Sequence, residues 1–160
     1  MSIKQQTQAY LTFNLDNELF AISVCKVLEI LEMKPITKVP KSPHFMKGVI
    51  NLRGNILPVI DTRIKFSMKE QEITIDTCII VLSINSPGDT LLVGAIVDSV
   101  QKVIDIPADF VQPSSTMGAI YREDFLSGIG KVDNEFIMIL NIDKVFSTED
   151  VSRMAPEAEA

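Results

Sequence analysis

Residues 43–66 read PHFMKGVINLRGNILPVIDTRIKF, and this stretch decides the fold. GVINL and NILPVI are short runs of apolar, largely β-branched residues, which favour a pleated, half-buried surface. Between them lies a tight turn around Arg53, Gly54 and Asn55, where Gly followed by Asn suits the positive φ angles of primed hairpin turns. Arg53 is therefore expected at a rigid corner with its guanidinium facing outward. Pro58 has no N–H to donate to a ladder, which predicts an edge strand or an interrupted one. Asp61 is placed to cap a short helical turn carrying Arg63 and Lys65.

Similar runs recur on both sides: AYLTFNL (9–15), ELFAI (18–22), DTCIIVLSI (76–84), TLLVGAIV (90–97) and EFIMILN (135–141). DNE, NSPGD and VDNE separate them as turn signals. Many short strands at close spacing predict an all-β sandwich or barrel with only brief helices. The pattern also repeats. VCKVLEI (24–30) is echoed by VQKVIDI (100–106), Gly48 by Gly128, ILPVI (56–60) by FIMIL (136–140), and Asp61 by Asn141. Ser23 and Ser99 each precede the echoed phrase and are expected to cap one helical turn. The reading is two similar β units, about 9–66 and 77–146, within one domain at 8–148. The repeat leaves open an exchange of strands between the units, with an N-terminal tail at 1–7 and a flexible acidic tail at 149–160. Units so small bury too little alone, so they are expected to share an apolar interface.

The 160 residues carry 15 Lys and Arg against 21 Asp and Glu, a net charge of −6, and 46% are apolar. That balance supplies a globular core and argues against a nucleic-acid footprint, which needs clustered positive charge. No secretory h-region opens the chain, and no apolar run approaches a membrane span. Cys25 and Cys78 sit among Val and Ile and are expected to be reduced core thiols of a cytoplasmic protein.

Catalytic constellations are absent from the sequence. His44, the single histidine, follows a proline in a loop and reads as a solvated turn residue. With two separated cysteines it builds no zinc site, and no metal or other cofactor is expected. There is no phosphate loop, and the GIG at 128–130 reads as close backbone approach in a strand. Glu123 and Asp124 are adjacent and point apart, so they make a poor acid/base pair.

The phrase in 43–66 resembles the CheW family, the coupling proteins of bacterial chemotaxis, and the regulatory domains of CheA-type histidine kinases. Pro43, Phe45, Gly48, Val49, Asn51, Leu52, Arg53, Gly54, Pro58, Asp61, Arg63 and Phe66 carry the resemblance. FAISVCKVLEI (20–30) and VGAIVDSVQKVIDI (93–106) extend it to about residues 8–148, with Ser99 departing from a Gly common in the family. The resemblance implies two SH3-like five-stranded β-barrels around a shared apolar core and no enzymatic activity. It implies an adaptor that holds a CheA-type kinase's regulatory domain against the cytoplasmic tip of a chemoreceptor, located at receptor arrays through those partners. No membrane insertion and no cofactor are implied.

Candidate interaction residues are Val27, Glu29 and Ile30 after the first helical turn, with Gly48, Asn51, Leu52, Arg53 and Gly54 around the hairpin corner. Core packing would equally explain Val27 and Ile30, and a solvated loop position or an internal ion pair would equally explain Arg53. Three other readings compete. They are a coupling protein of a non-flagellar array, a β-barrel holding a small ligand between the barrels, and an enzyme built on His44.

Overall fold

The computed structural model describes residues 7–70, 72–86, 89–112 and 126–146. Strands β1 (Thr7–Leu15) and β2 (Glu18–Ser23) lead through a 3-10 turn, Val24–Lys26, into β3 (Val27–Glu32). Then follow β4 (Met46–Leu52), β5 (Asn55–Asp61) and a four-residue helix, α1 (Thr62–Lys65). The later half has β6 (Cys78–Ser86), β7 (Asp89–Val97), β8 (Ser99–Pro107), β9 (Val111–Gln112), β10 (Leu126–Val132), β11 (Glu135–Leu140) and α2 (Ile142–Val145). Both expected tails lie outside the described residues except Thr7, as do Glu123 and Asp124.

Two-residue turns set three hairpins, each with positive φ at both central positions: Asp16 and Asn17 (54° and 68°), Arg53 and Gly54 (52° and 88°), Asp133 and Asn134 (52° and 66°). These values match type I′ turns, whose twist agrees with that of the strands they join. The sequence reading misplaced one turn by a residue. The left-handed pair is Arg53–Gly54, and Asn55 already belongs to β5.

Each half donates strands to both sheets. The six-stranded sheet runs β8-β1-β2-β11-β10-β9, and the five-stranded sheet runs β3-β6-β7-β5-β4. The two orders correspond strand for strand, with the first hairpin of each half completing the other half's sheet. Two parallel ladders, β5 with β7 and β11 with β2, join the halves. This is the architecture of two SH3-like subdomains, with the two-residue β9 as a sixth strand in one of them. Even β9 has a counterpart: Gln112 pairs with Ile129, as Thr37 pairs with Val49 80 residues earlier in the partner position.

Three apolar clusters fill the fold. Ile50, Leu52, Leu57, Val59, Ile79 and Val81 pack inside the barrel of the five-stranded sheet. Ala21, Ile106, Ile137 and Ile139 pack inside the other. The largest cluster, including Phe13, Phe20, Ile60, Leu82, Ile84, Val93 and Phe146, draws on both sheets and forms the shared core. Fully burying each such side chain contributes about 1.5–3 kcal/mol, which explains why neither barrel is left to stand alone.

The echoed phrase is not structurally equivalent to itself. A bulge follows Val27 on β3 and Val100 on β8, which sets these valines in the same place, 73 residues apart. Burial agrees with that spacing: Ile30 and Val103 are exposed, Leu31 and Ile104 half-buried, Glu32 and Asp105 exposed. The parallel ladders likewise set Ala21 and Gly94 in the same place, 73 residues apart, so the offset is 73 on both sides of the connection and the echo at 76 is three residues out of step. Ser23 accepts from the Cys25 N–H (3.3 Å) as a cap, whereas Ser99 opens a strand and caps nothing helical.

Two further expectations are corrected. β5 is an interior strand despite Pro58. Val49, opposite Pro58, directs both its N–H and its C=O to Thr37, away from β5, so Val49 and Pro58 form a non-hydrogen-bonded pair. The Pro58 nitrogen then faces β7, whose ladder with β5 begins only at Val59, and no bond is lost. Cys25 is exposed, because the 3-10 turn that carries it buries none of its residues. Cys78 is half-buried, with burial pushing its thiol pKa up.

Candidate protein-interaction surface

The hairpin corner and β3 meet through one ion pair. Asn51 Oδ1 accepts from the Gly54 N–H (2.7 Å) and fixes the turn, so Arg53 stands on a braced corner. Its guanidinium reaches Glu29 in β3 through two nitrogens, Nη1 donating to Oε1 at 3.3 Å and Nη2 to Oε2. Such a two-pronged contact is directional and holds both side chains in one geometry. The hydrogen bonds from Arg53 hold the Glu29 carboxyl below its ordinary pKa, and Glu29 in turn raises that of Arg53. Arg53 keeps 68% of its side chain exposed and Glu29 30%, so the pair is braced yet accessible.

Exposed apolar side chains lie on the same two elements. Ile30 follows Glu29 on the other face of β3 and is 45% exposed, and Ile56, three residues beyond Arg53, is 63% exposed. Arg is enriched at protein-contact surfaces, and large apolar groups anchor them. Ile56 was not singled out from the sequence, because its neighbours in β5 are core residues.

The remaining candidates are placed differently. Asn51 and Gly54 are exposed beside Arg53. Val27 is half-buried and packs against the shared core, and Leu52 is buried inside its barrel. Gly48 is buried at a bulge with φ 151°, where an added Cβ would lie 2.1 Å from the Thr37 carbonyl oxygen. These three shape the surface from beneath.

A second group of charges was missed. Arg63, only 6% exposed, donates from Nε to Asp98 Oδ1 (2.9 Å), binds the Lys69 carbonyl (2.9 Å), and lies 3.8 Å from Asp16. Asp98 also accepts from the Asp16 N–H (2.7 Å). Burial alone would raise the Asp98 pKa, but these hydrogen bonds prevail and hold it below the ordinary value. Asp61 caps α1 by accepting from Arg63 N (2.9 Å), and burial raises its carboxyl. These groups border an open cleft of about 440 Å³ that also contains the Lys47–Glu70 pair (2.6 Å). Its bases are matched to acids, which makes the arrangement a set of struts.

His44 is exposed. Among the described residues no group of three or more His, Cys, Asp or Glu could hold a metal ion, and no helix is long and apolar enough to cross a membrane. Gly128 lies where an added Cβ would meet the Gln112 carbonyl oxygen at 2.6 Å, so the GIG stretch serves close strand approach.

Residues 9–150 match the family of CheW-like domains. The chain is similar to a chemotaxis protein CheW of Klebsiella aerogenes, 32% identical over 145 residues that cover 91% of this chain and 85% of that protein. It is 30% identical to a probable chemotaxis protein CheW of Rhizobium etli, over 91% of this chain and 92% of the relative. The crystal structure of the scaffolding protein TtCheW from Thermoanaerobacter tengcongensis superposes with a TM-score of 0.79 at 31% identity, covering 91% of this chain and 96% of the other.

Proposed function

The chain belongs to the family of CheW-like domains, and from that premise we propose that it couples chemoreceptors to a CheA-type histidine kinase as a non-enzymatic adaptor. At the coarser level it is a CheW-type chemotaxis scaffold. The observation that carries the finer reading is the accessible Glu29–Arg53 pair on a braced hairpin corner, on elements that also expose Ile30 and Ile56. A rigid corner of that composition loses little side-chain freedom on docking, which favours affinity without a large area. The kinase's regulatory domain and the receptor's cytoplasmic tip divide this face between them, joined by Asn51 and Gly54 at the corner. Signal state passes through which interfaces are made, with no bound cofactor. The chain then works in the cytoplasm, at receptor arrays on the inner face of the membrane. The 8–148 segment acts as one unit, since strands of both halves complete each sheet.

The test is a pull-down from cytoplasm and solubilised membranes with the purified chain as bait. Retention of both a histidine kinase and a chemoreceptor supports coupling. Retention of neither, with the bait shown to be folded, contradicts it.

A further inference from the structure

Charge is distributed unevenly along the chain. Residues 33–60 hold Lys34, Lys38, Lys41, Lys47 and Arg53 and no Asp or Glu, so with His44 neutral the segment carries +5. The other residues have 10 Lys and Arg against 21 Asp and Glu, a balance of −11. The fold lays the segment along one edge of a barrel. β4 is the terminal strand of its sheet, and Thr37 runs beside it, its N–H donating to the Val49 carbonyl (2.9 Å) and its carbonyl accepting from the Val49 N–H (2.8 Å). That pairing is antiparallel, which sets Lys34 toward the Arg53 end of β4 and Lys38 and Lys41 toward the Met46 end.

These three lysines are available. Each is exposed and makes no ion pair among the described residues, whereas Lys26, Lys47 and Arg63 are each matched to an acid. Lys34 also acts on the hairpin corner: the Arg53 hydrogen bonds do most to lower the Glu29 carboxyl, and the charge of Lys34 adds to them. One carboxylate thus answers two cations there, and the corner keeps a net positive charge. Pro35, Pro40 and Pro43 fix φ along the segment, so the lysines are borne on backbone that loses little freedom on docking.

We propose that this edge, from Arg53 through Lys34 to Lys38 and Lys41, docks an acidic protein surface, a patch of clustered carboxylates. It rests on the coupling reading in one respect, that the patch belongs to one of the two coupling partners. An acidic partner is repelled by the rest of a chain of net charge −6 and attracted here, which orients its approach and speeds association. A lipid or nucleic-acid surface is extended and would also meet Glu29 and Glu70, which lie within the field of these lysines. A local patch meets the band alone.

Calorimetry of the full chain with a defined carboxylate probe, a poly-L-glutamate peptide, tests the band without either partner. Measurements at about 0.01 M and about 0.15 M ionic strength bracket a fall in screening length from about 30 Å to about 8 Å. The expected result is saturable binding at the lower ionic strength that weakens at the higher. Lys34→Gln, Lys38→Gln and Lys41→Gln combined should weaken it about ten-fold or more, and Lys102→Gln with Lys144→Gln less than about two-fold. Thermal melts check that both variants are folded. No saturable binding by the native chain, no salt dependence, equal binding by the folded triple variant, or equal affinity for phosphatidylglycerol vesicles or duplex DNA would each overturn the proposal. With a CheA-type regulatory domain and a chemoreceptor fragment in place of the peptide, the triple variant should lose about ten-fold toward at least one. Undiminished affinity for both overturns the docking role and leaves coupling intact. If the native chain binds neither, coupling fails and the peptide result alone decides the band.

Discussion

Arg63 and Asp143 stand at the same place in the two halves, the second residue of a four-residue helix, and carry opposite charges. Each closes an ion pair to the connection leaving the other half's exchanged hairpin: Arg63 to Asp98, and Asp143 to Lys26 (2.7 Å). The match extends to the backbone, since the Asp16 N–H donates to Asp98 (2.7 Å) and the Asn85 N–H to Asp143 (3.1 Å). One strut, used twice with its polarity reversed, therefore ties the swapped hairpins to the barrels they complete.

The two struts should differ in weight. Arg63 is buried and its loss strands Asp98, so Arg63→Ala should destabilise by about 3 kcal/mol or more. Lys26 and Asp143 keep 25% and 35% of their side chains exposed. Solvent screens them, and Lys26→Ala should cost no more than about 1 kcal/mol. Urea unfolding of both variants checks the order.

Acid should weaken the first strut. Asp98 has a folded pKa below its unfolded value, so its contribution is complete at neutral pH and is lost as pH falls through the folded value. Asp98→Asn should thus be less stable than the native chain at pH 7, and the gap should narrow below about pH 4, in the ordinary carboxylate range. Urea midpoints across that interval measure it. A gap that stays constant would contradict the assignment.

Asp61 behaves in the opposite sense. Burial raises its pKa, so the folded state prefers the protonated carboxyl and bears a penalty above that pKa, relieved as pH falls. The equivalent helix in the second half is capped by Asn141, which accepts from Lys144 N at 3.2 Å. Asp61→Asn keeps a capping oxygen without the charge. Its stability at pH 7 should equal or exceed that of the native chain, within about 1 kcal/mol. A larger loss in thermal or urea melts would show that the charge itself is needed.

Gly48→Ala should lower stability by more than about 2 kcal/mol, as other strained-backbone and clash substitutions do. The new Cβ would meet the Thr37 carbonyl oxygen at 2.1 Å, and backbone cannot yield as a side chain can. Circular dichroism melts read the change, and an unaltered midpoint would show that Thr37 moves freely.

How much of this was legible in the sequence follows from which constraints are local. The NLRGN corner and the Asp61 and Asn141 caps were readable because turn and cap chemistry depends on adjacent residues. Arg53 could be placed on its corner, but its partner lies 24 residues away in β3, so a solvated position, an ion pair and an interface anchor all stayed open. The VCKVLEI echo indicated a duplication correctly and its register incorrectly, because residues three positions out of step are more alike than the structurally equivalent ones. The Arg63–Asp98 strut was invisible, since it depends on hairpin exchange between the halves. Cys25 looked internal from its apolar neighbours, yet the turn carrying it points outward.

The most direct test of the coupling claim is calorimetric titration of the chain with a CheA-type regulatory domain and, separately, with a chemoreceptor cytoplasmic fragment, using native protein and Arg53→Ala. The account predicts binding to both partners, an unchanged melting profile for Arg53→Ala, and weakening by roughly 1–3 kcal/mol toward at least one of them, as hot-spot truncations show. Native affinity of the folded variant for both partners, or no binding by the native chain to either, would contradict it.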